Sequence, residues 1–286
     1  MTTIDILMIT YNRPDYTRLA LSRLLATCDR NMRVWLWHNG NDEETLAIVR
    51  DALSHPNVYK FHHSIENKKL REPTNWLFDN AEGDFLSKVD DDCLMPDGWA
   101  DTLRQAHADE EQFGVLGCWR FQEEDFVPNL ARKKIQEFQK GHRLLVNCWI
   151  EGSGYLMRRA CVEQAGRIRE LENFTRYCIR LTELGWKNGW YYPFLHQEHM
   201  DDPRSPNTML KTDEDLARRM PLTCKNFGAT TIRQWTEIMK ADAKYVQGAS
   251  VDPAQYSGWR PKVRRLLGRV RRTLIRTEKE RARICY

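Results

Sequence analysis

The first hundred residues alternate four times between a short apolar segment and a segment whose apolar residues recur at helical spacing. The apolar segments are predicted to form β-strands over 4–10, 33–38, 58–62 and 85–89. Strands that alternate with helices predict an α/β fold, in which a mostly parallel central sheet carries helices on both faces. Ligands of such open sheets bind beyond the carboxyl ends of the strands. We therefore expect a functional site in the loops that follow these strands.

Acidic residues mark the expected starts of helices. Asp15 and Asp42 each precede aliphatic residues at helical spacing, and both are predicted to cap their helices. A short helix is predicted around 75–80, and another begins near Asp97. The stretch 212–247 is also predicted to be helical, and its residues indicate no particular chemistry.

Three consecutive carboxylates, Asp90, Asp91 and Asp92, directly follow the fourth predicted strand. Like charges this close repel one another unless a cation or a set of hydrogen bonds compensates. A divalent metal with oxygen ligands, Mg²⁺ or Mn²⁺, held in part by a diphosphate, is the simplest physical explanation. The alternative is a solvated acidic turn that only caps the helix starting near Asp97.

Length and composition favour one large catalytic domain with a C-terminal extension. The chain has no run of 18 apolar residues, and its first residues lack the basic start and small-residue cleavage site of a signal peptide. We therefore expect a cytoplasmic protein. Its eight cysteines are scattered without a Cys-x-x-Cys pair, so the pattern favours reduced thiols over a zinc site or a disulfide framework.

The net charge of +4 hides a strongly basic C-terminal segment. Residues 258–286 contain 11 lysines and arginines against 2 glutamates, whereas the rest of the chain carries 33 basic and 38 acidic residues. The apolar residues of this segment fall on one face of a predicted helix and the basic residues fill the other: Trp259, Val263, Leu266, Leu267, Val270 and Leu274. Such a helix is typical of an anionic membrane surface, and packing on a partner or on the protein's own body is the alternative. Nucleic acid is the least favoured partner because no aromatic interleaving or nucleic-acid fold signature accompanies the charge.

Several short motifs occur together in an order that resembles a known family. TYNRP follows the first strand, HNGN follows the second, and ENKKLREPTNWLFDNAEGDFLSKVDDDCLMPDGW leads through the acidic triplet. With EGSGYLMRRACVEQAG over 151–166 and LTELGW over 181–186, the pattern resembles the nucleotide-sugar domain of family 2 glycosyltransferases over roughly residues 3–200. The resemblance implies a GT-A fold, an Asp-x-Asp metal motif and a nucleoside diphosphate sugar donor.

The resemblance also implies a set of donor-site residues. Asp92 would ligate the metal that holds the diphosphate, and Asp90 would face the ribose or the same metal. Members that use UDP commonly carry an aspartate where His38 and Asn39 stand here, so this chain departs from the family pattern at the nucleotide base. An ordinary strand-to-helix turn is the alternative role for the TYN segment. The residues expected at the nucleotide sugar are Thr10, Tyr11, Asn12, Arg13, His38, Asn39, Lys69, Asp90 and Asp91.

For the acceptor side, the resemblance places Gly152, Ser153 and Gly154 beneath the acceptor, where glycine lets the backbone approach a sugar closely. A simple tight turn is the alternative. Family members carry an acidic pair as general base at the start of the helix that leads to LTELGW, and this chain has Asn173 and Phe174 there. The candidate bases, in order of preference, are Glu172, Glu170 and Glu151.

A histidine often serves as a further metal ligand in the family. His199 lies nearest the expected distance after the Gly-Trp pair, and His196 is the second candidate. Arg204, in the same loop, is predicted either to meet a phosphate or to pair with Asp201 or Asp202.

The predicted organisation follows from these motifs. A GT-A catalytic domain over 1–210 has a nucleotide-sugar half over 1–118 and an acceptor half over 119–210. A helical extension over 211–257 and a basic amphipathic tail helix over 258–286 follow it. The charged stretch 120–146 fits the family pattern poorly and is predicted to be a surface excursion over the cleft or a plain solvated helix.

The function implied is a metal-dependent, inverting glycosyltransferase of hexosyltransferase type that uses Mn²⁺ or Mg²⁺. The expected acceptor is a glycan or a lipid-linked sugar of bacterial surface polysaccharide, reached as a peripheral protein on the inner face of the plasma membrane. Two rivals remain open: a nucleotidyltransferase of related fold, which would need more basic residues than Arg13 in its first loop, and a catalytically decayed scaffold that binds a membrane or a partner.

Overall fold

The structure is a computed structural model, and it describes residues 2–256. The basic segment 258–286, predicted to be an amphipathic helix, lies outside the described residues. One compact unit runs through Ala249, and a second begins at Ser250, where the described part contains a short turn of 3₁₀-helix at Pro253–Gln255.

Strands and helices alternate along the compact unit. The strands are β1 Ile4–Thr10, β2 Met32–Asn39, β3 Val58–Ser64, β4 Phe85–Asp90, β5 Cys93–Leu94, β6 Phe113–Gly117, β7 Ile135–Glu137, β8 Arg143–Asn147, β9 Tyr155–Arg158, β10 Lys187–Tyr192 and β11 Glu198–His199. The helices are α1 Pro14–Ala26, α2 Glu43–Asp51, α3 Arg71–Asn80, α4 Trp99–Asp109, α5 Pro128–Ala131, α6 Arg159–Ala165, α7 Phe174–Glu183, α8 Asp213–Arg219, α9 Leu222–Phe227 and α10 Ile232–Gly248.

Nine strands form one central sheet in the order β3-β2-β1-β4-β9-β6-β10-β8-β7. The first four are parallel, β9 runs antiparallel to β4 and β6, and β8 runs antiparallel to β10 and β7. β10 is parallel to β6, so most strands share one direction. The predicted α/β fold with a mostly parallel central sheet, surrounding helices and a helical C-terminal portion is confirmed.

The core lies between this sheet and the helices packed on it. Every residue of β1 is buried, as expected for a central strand covered on both faces. Aliphatic side chains of α1, such as Leu21 and Leu24, and the fully buried Trp99 and Leu103 of α4 belong to the same core cluster. A smaller cluster around Trp235 and Met239 holds α8, α9 and α10 together.

Strand register places the three predicted site loops at one edge of the sheet. Thr10 lies opposite His38, and Ile9 lies opposite Asp90. The ends of β1, β2 and β4 are therefore neighbours, as predicted from the parallel arrangement.

Two local predictions are wrong. Asp15 does not cap α1: the helix begins at Pro14, which suits a first helical position because it lacks an N–H, and Arg13 is the capping residue. The stretch 120–146 is neither a surface excursion nor a solvated helix throughout, since Leu144 and Leu145 are fully buried in β8 of the central sheet. The surrounding charged residues hide this short apolar strand in the sequence.

Asp42, by contrast, caps α2 as predicted by accepting a hydrogen bond from the Thr45 N–H at 3.0 Å. None of the helices within residues 2–256 has the length and apolar character needed to cross a lipid bilayer. The cysteines described in that range are free thiols.

A carboxylate is buried inside the central strand. Asp5 accepts hydrogen bonds from Arg33 Nε and Nη2 at 2.7 Å each and from Trp35 Nε1 at 2.8 Å, both on β2. It also accepts from the Gly83 N–H at 2.7 Å, in the turn before β4. Asp5 therefore ties β1 to β2 and to the turn that leads into the acidic triplet.

Replacing Asp5 with alanine is expected to lower the free energy of unfolding by about 3 kcal/mol, because the donors around it lose their buried acceptor. Asp15→Ala is the matched control: it removes an exposed ion pair with Arg219 and is expected to cost less than about 1 kcal/mol. Equilibrium urea denaturation of both variants measures the difference. Equal losses would show that Asp5 is not a structural anchor.

Candidate active site

The three carboxylates after β4 have three different sets of partners. Asp91 accepts hydrogen bonds from the Tyr11 N–H and from Thr17 Oγ1, both at 3.3 Å, and so ties the loop after β1 and the start of α1 to the end of β4. It is 8 % exposed, and burial raises its pKa to about 7. Asp91 was predicted to bind the nucleotide sugar. In the structure its carboxylate instead accepts hydrogen bonds from the protein itself.

Asp90 is the most exposed of the three carboxylates, with 32 % of its side chain accessible. Burial raises its pKa, and the buried ammonium of Lys88, which pairs with it, opposes that shift. The Asp90 N–H donates to Ser153 Oγ at 2.9 Å, which brings the predicted acceptor turn 152–154 against the end of β4.

Arg13 joins Asp92 to a distant carboxylate. Its Nη1 donates to Asp92 Oδ2 at 2.9 Å and to Asp201 Oδ2 at 3.1 Å, and its guanidinium lies 4.5 Å from the centre of the Tyr16 ring. Although burial raises the pKa of Asp92, neighbouring His199 and Arg13 hold it well below its usual range. Asp92 is therefore an ionised carboxylate at neutral pH, and Arg13 lies in the acidic cluster.

His199 reaches Asp92 through a short strand pairing. β11 pairs antiparallel with β5, which sets His199 opposite Cys93. As a result His199 Nε2 lies 3.9 Å from Asp92 Oδ2, and the possible ligand atoms of Asp92, Cys93 and His199 all lie within 4.8 Å of one another. Burial lowers the pKa of His199 to about 4, so the imidazole is neutral at pH 7.

The residues present fit a divalent metal ion. An ionised carboxylate and a neutral imidazole are ligands that Mn²⁺ accepts, and their 3.9 Å separation leaves room for one ion to contact both. His199 Nδ1 is buried and has no hydrogen-bond partner among the residues described. His196, the second candidate, instead bonds the Phe121 carbonyl through Nε2 at 2.8 Å. The structure therefore brings His199, and not His196, to the acidic triplet.

The loop after β1 has the shape of a pocket wall. Tyr11 is 42 % exposed, and Asn12 adopts a left-handed conformation with φ of 50°. The Tyr11 ring lies against Gly40, where an added Cβ would come 3.1 Å from Tyr11 Cε2. Gly40 itself has φ of 86°, so a side chain there would be both strained and crowded. Tyr11 and Asn12 are thus exposed members of the predicted nucleotide site.

Three other predicted donor residues have side chains that bond the protein itself. Buried Thr10 and His38 meet through Oγ1 and Nδ1 at 2.9 Å. Asn39, 1 % exposed, accepts from Trp37 Nε1 at 2.9 Å and donates to the Lys69 carbonyl at 3.2 Å. Asn39 therefore fixes the loop that carries Lys69 and has little capacity left for a ligand.

The turn 152–154 is clamped between three strands. The Gly154 N–H donates to the Lys88 carbonyl at 2.8 Å, and its carbonyl accepts from the Cys118 N–H at 2.7 Å. Gly154 has φ of 63°, and a Cβ there would overlap Gln197 Oε1. Glycine at this position thus permits the close approach of β4, the end of β6 and the segment before β11.

Glu172 and Glu170, the first two candidate bases, lie on the loop before α7. Both oxygens of Glu172 bond the Arg180 guanidinium, at 2.9 and 2.7 Å, and one also accepts from the Arg169 N–H at 3.0 Å. Burial raises the pKa of Glu172, but these bonds outweigh it and the pKa is lowered. Glu170 is exposed, and its carbonyl contacts Arg71. The Glu172 carboxylate therefore holds its own loop against α7.

Glu151, the third candidate base, contacts Trp190 of β10 and Arg120. Its Oε2 accepts from Trp190 Nε1 at 2.9 Å, and its Oε1 lies 3.7 Å from Arg120 Nε. Burial raises the pKa of Glu151, although 18 % of the side chain stays accessible. Burial is the largest cause of the pKa shifts of both Asp90, which is raised, and His199, which is lowered. The positive charge of Arg120 acts on both groups and lowers each pKa by a smaller amount. Arg120 and its neighbour Glu151 are thus close to the acidic triplet.

The sequence reading missed Lys88, Arg120 and Asp242. Lys88 was detectable, since a lysine two residues before Asp90 in an apolar strand shares its face. Arg120 and Asp242 lay in segments that indicated no chemistry. Arg204 follows the second of its two predicted roles: it pairs with Asp202 and Asp125, at 2.7 Å each.

Comparison with known proteins agrees with this geometry. The model of the family described as glycosyl transferase family 2 matches residues 5–164, more than half of the chain. The mannosyltransferase PcManGT from Pyrobaculum calidifontis, solved with GDP-Man and Mn²⁺, is 15 % identical with a TM-score of 0.58, over 89 % of this chain and 78 % of that one.

Two further solved structures share the fold over smaller parts of their length. S. aureus TarS 1-349 in complex with UDP is 18 % identical with a TM-score of 0.50, over 66 % of this chain and 57 % of that one. GalNAc-T7 with UDP, GalNAc and Mn²⁺ is 11 % identical with a TM-score of 0.54, over 70 % of this chain and 44 % of that one. At such identities these likenesses concern the fold alone, whereas the family match over residues 5–164 is decisive: the chain belongs to glycosyl transferase family 2.

Proposed function

We propose that the protein transfers a sugar from a nucleoside diphosphate sugar to a hydroxyl group with inversion, using a divalent metal, Mn²⁺ or Mg²⁺. The observation that carries the proposal is the meeting of Asp92 and His199, 3.9 Å apart, at the end of β4, with Arg120 linking Glu151 to the same cluster. Metal-capable ligands and an accessible carboxylate are the two components that such a transfer needs.

Asp92 and His199 would hold the metal, which, when bound, offsets the negative charge of the leaving diphosphate. Tyr11 and Asn12 would line the open side of the nucleotide pocket. Mn²⁺ accompanies GDP-Man in PcManGT and UDP in GalNAc-T7, which supports a nucleotide sugar and a metal as partners here as well. His38 and Asn39 stand where UDP-using members of the family commonly carry an aspartate, so the panel of nucleotide sugars below tests which base is bound.

Glu151 would be the general base. Its carboxylate is 18 % accessible, and the side-chain donor that bonds it within residues 2–256 is Trp190 Nε1, whereas Glu172 has both oxygens bonded to Arg180. The acceptor hydroxyl proton passes to Glu151 as the hydroxyl oxygen bonds to the anomeric carbon. The bond from that carbon to the phosphate oxygen breaks, and the nucleoside diphosphate leaves with the electron pair. A single displacement of this kind inverts the anomeric centre.

The finer setting rests on the family and on the charge pattern. A hexosyl transfer to a glycan or lipid-linked acceptor of bacterial surface polysaccharide is proposed. The basic segment 258–286 supports a peripheral position at the cytoplasmic face of the plasma membrane. The division into a catalytic domain over 1–210 and an extension over 211–257 stays a prediction.

A catalytically decayed scaffold is the second candidate. One observation favours it: the acids expected before LTELGW are absent, and the nearest carboxylate, Glu172, is bound to Arg180. A nucleotidyltransferase is less well supported, because Arg13, the basic residue of the first loop, is bound to Asp92 and Asp201.

The donor site is tested by thermal melting of the purified protein with UDP, GDP, dTDP and CMP sugars, with and without Mn²⁺. One nucleotide sugar is expected to raise the melting temperature only with Mn²⁺, corresponding to about 2.7 kcal/mol of stabilisation at a hundredfold excess over its dissociation constant. Asp92→Asn and His199→Ala should each abolish the shift, since each removes a ligand.

His196→Ala is the matched control for His199, and it should keep the metal-dependent shift because His196 bonds the Phe121 carbonyl. The melting temperature of each variant without ligand separates lost binding from lost stability. A shift of full size in Asp92→Asn would contradict the proposed metal site.

The base is tested by Glu151→Gln, which is expected to lower kcat by about 10²- to 10⁴-fold because the amide cannot accept the proton. The donor-dependent melting shift should persist, since Glu151 does not hold the donor. Steady-state release of nucleoside diphosphate in the presence of an acceptor measures kcat.

Glu172→Gln provides the comparison. It should lower the melting temperature by weakening the bonds to Arg180 and leave kcat within a few-fold of the native value. The opposite result, an active Glu151→Gln protein and an inactive Glu172→Gln protein of native stability, would return the role of base to Glu172. Absence of turnover in the native protein with every donor and acceptor pair would favour the scaffold.

A further inference from the structure

Arg120 lies between two carboxylates and bonds only one of them. Its Nη2 donates to Asp242 Oδ2 at 2.7 Å, whereas its Nε is 3.7 Å from Glu151 Oε1. That separation is too long for a hydrogen bond, and Arg120 Nε is buried without a partner among residues 2–256. Arg120 is therefore held by Asp242 just short of a full ion pair with Glu151.

Asp242 is held in place from both ends of α10. Near the start of the helix, Trp235 Nε1 donates to the Asp201 carbonyl at 2.7 Å. Near its end, buried Gln247 accepts from the Val127 N–H at 2.7 Å and donates to the Asp125 carbonyl at 2.8 Å. Because α10 is fixed on either side of Asp242, the backbone that carries this carboxylate is held in place beside Arg120.

We infer that Asp242 is a positioning residue that restrains and neutralises Arg120, and so keeps Glu151 free to accept the proton of the acceptor hydroxyl. This inference rests on the proposed role of Glu151 as the base. It assigns a part in the reaction to a helix whose sequence indicates no chemistry.

The two charged side chains nearest Glu151 shift its pKa in opposite directions. Facing it are Arg120 after β6, Asp242 on α10, the Cys178 thiol on α7 and the Trp190 N–H on β10. Burial raises the pKa of Glu151, Arg120 lowers it and Asp242 raises it. Burial raises the pKa of Cys178 to about 12, so that thiol stays neutral through the working range.

Loss of the Asp242 charge therefore weakens Glu151 as a base in two ways. The direct contribution that raises the pKa of Glu151 disappears, and the guanidinium of Arg120, no longer neutralised, is free to close the 3.7 Å gap. An ion pair of that kind favours the carboxylate form and lowers its affinity for a proton. A weaker base transfers the proton more slowly but remains ionised at lower pH.

The test is the pH dependence of kcat/KM in Asp242→Asn. The acid limb of this profile is the fall in kcat/KM at low pH, where Glu151 is protonated and inactive. It is expected to move to lower pH by about one unit. The plateau value of kcat/KM should fall several-fold. Asp242→Glu should restore the native profile, because the longer carboxylate can still bond Arg120.

Glu237→Gln is the matched control on the same helix. Glu237 pairs with Lys240 at 3.2 Å on the exposed side of α10, so its loss should leave the acid limb and the plateau unchanged. Arg120→Gln should move the acid limb the other way, to higher pH, since it removes the cation and leaves two neighbouring carboxylates. If Arg120 and Asp242 had a purely structural role, the two substitutions would not shift the acid limb in opposite directions.

The outcomes separate this inference from the proposed function. If Glu151→Gln is inactive and Asp242→Asn keeps the native acid limb, the positioning role is wrong and the base assignment stands. If Glu151→Gln retains native kcat, both the base assignment and the role of Asp242 fall. Melting temperatures of Asp242→Asn and Glu237→Gln within a few degrees of each other confirm that the profiles compare folded proteins.

Discussion

The compensation of three adjacent carboxylates is the constraint on which the site depends. Charges at Asp90, Asp91 and Asp92 could not be buried together without donors or cations, because an uncompensated buried charge is very costly. Lys88 pairs with Asp90, the Tyr11 N–H and Thr17 serve Asp91, and Arg13 pairs with Asp92. Lys88 lies on β4 itself, whereas Tyr11, Arg13 and Thr17 all come from the loop after β1 and the start of α1, so satisfying the charges also fixes this segment at the end of β4.

The same charges draw the C-terminal half of the chain to the end of β4. Arg13 neutralises Asp92 but also binds Asp201, which lies 188 residues away in sequence, and Trp235 of α10 bonds the Asp201 carbonyl. A metal bound by Asp92 and His199 would share Asp92 Oδ2 with Arg13. Arg13 is thus a resident cation that keeps the acids together in the protein without ligands.

The parts of this arrangement that local pattern determines were predictable, and the parts set by distant contacts were not. Short apolar segments between stretches of helical spacing located the first four strands, and parallel strands bring TYN, HN and DDD to one edge regardless of side-chain detail. The preference for His199 over His196 came from spacing after the Gly-Trp pair, but the pairing of β5 with β11, which sets His199 beside Asp92, involves two residues per strand and leaves no periodic signal. Likewise, no local pattern around Glu172 indicates that both of its carboxylate oxygens bond Arg180, which lies on α7.

The network of contacts around the candidate site reaches beyond the part that matches family 2. The family match ends at residue 164, yet His199, Asp201, Trp235 and Asp242 all contact, directly or through one partner, residues that lie within the match. Asp242 is 122 residues from Arg120 in sequence, yet the two side chains bond at 2.7 Å. Arg120 lies beside Glu151 and pairs with Asp242. A domain border at residue 210 would therefore separate Glu151, the proposed base, from Asp242, the counter-charge of its neighbour Arg120. If Glu151 is the base, as proposed, the C-terminal helices carry the counter-charge of its neighbour Arg120 and belong to the catalytic unit.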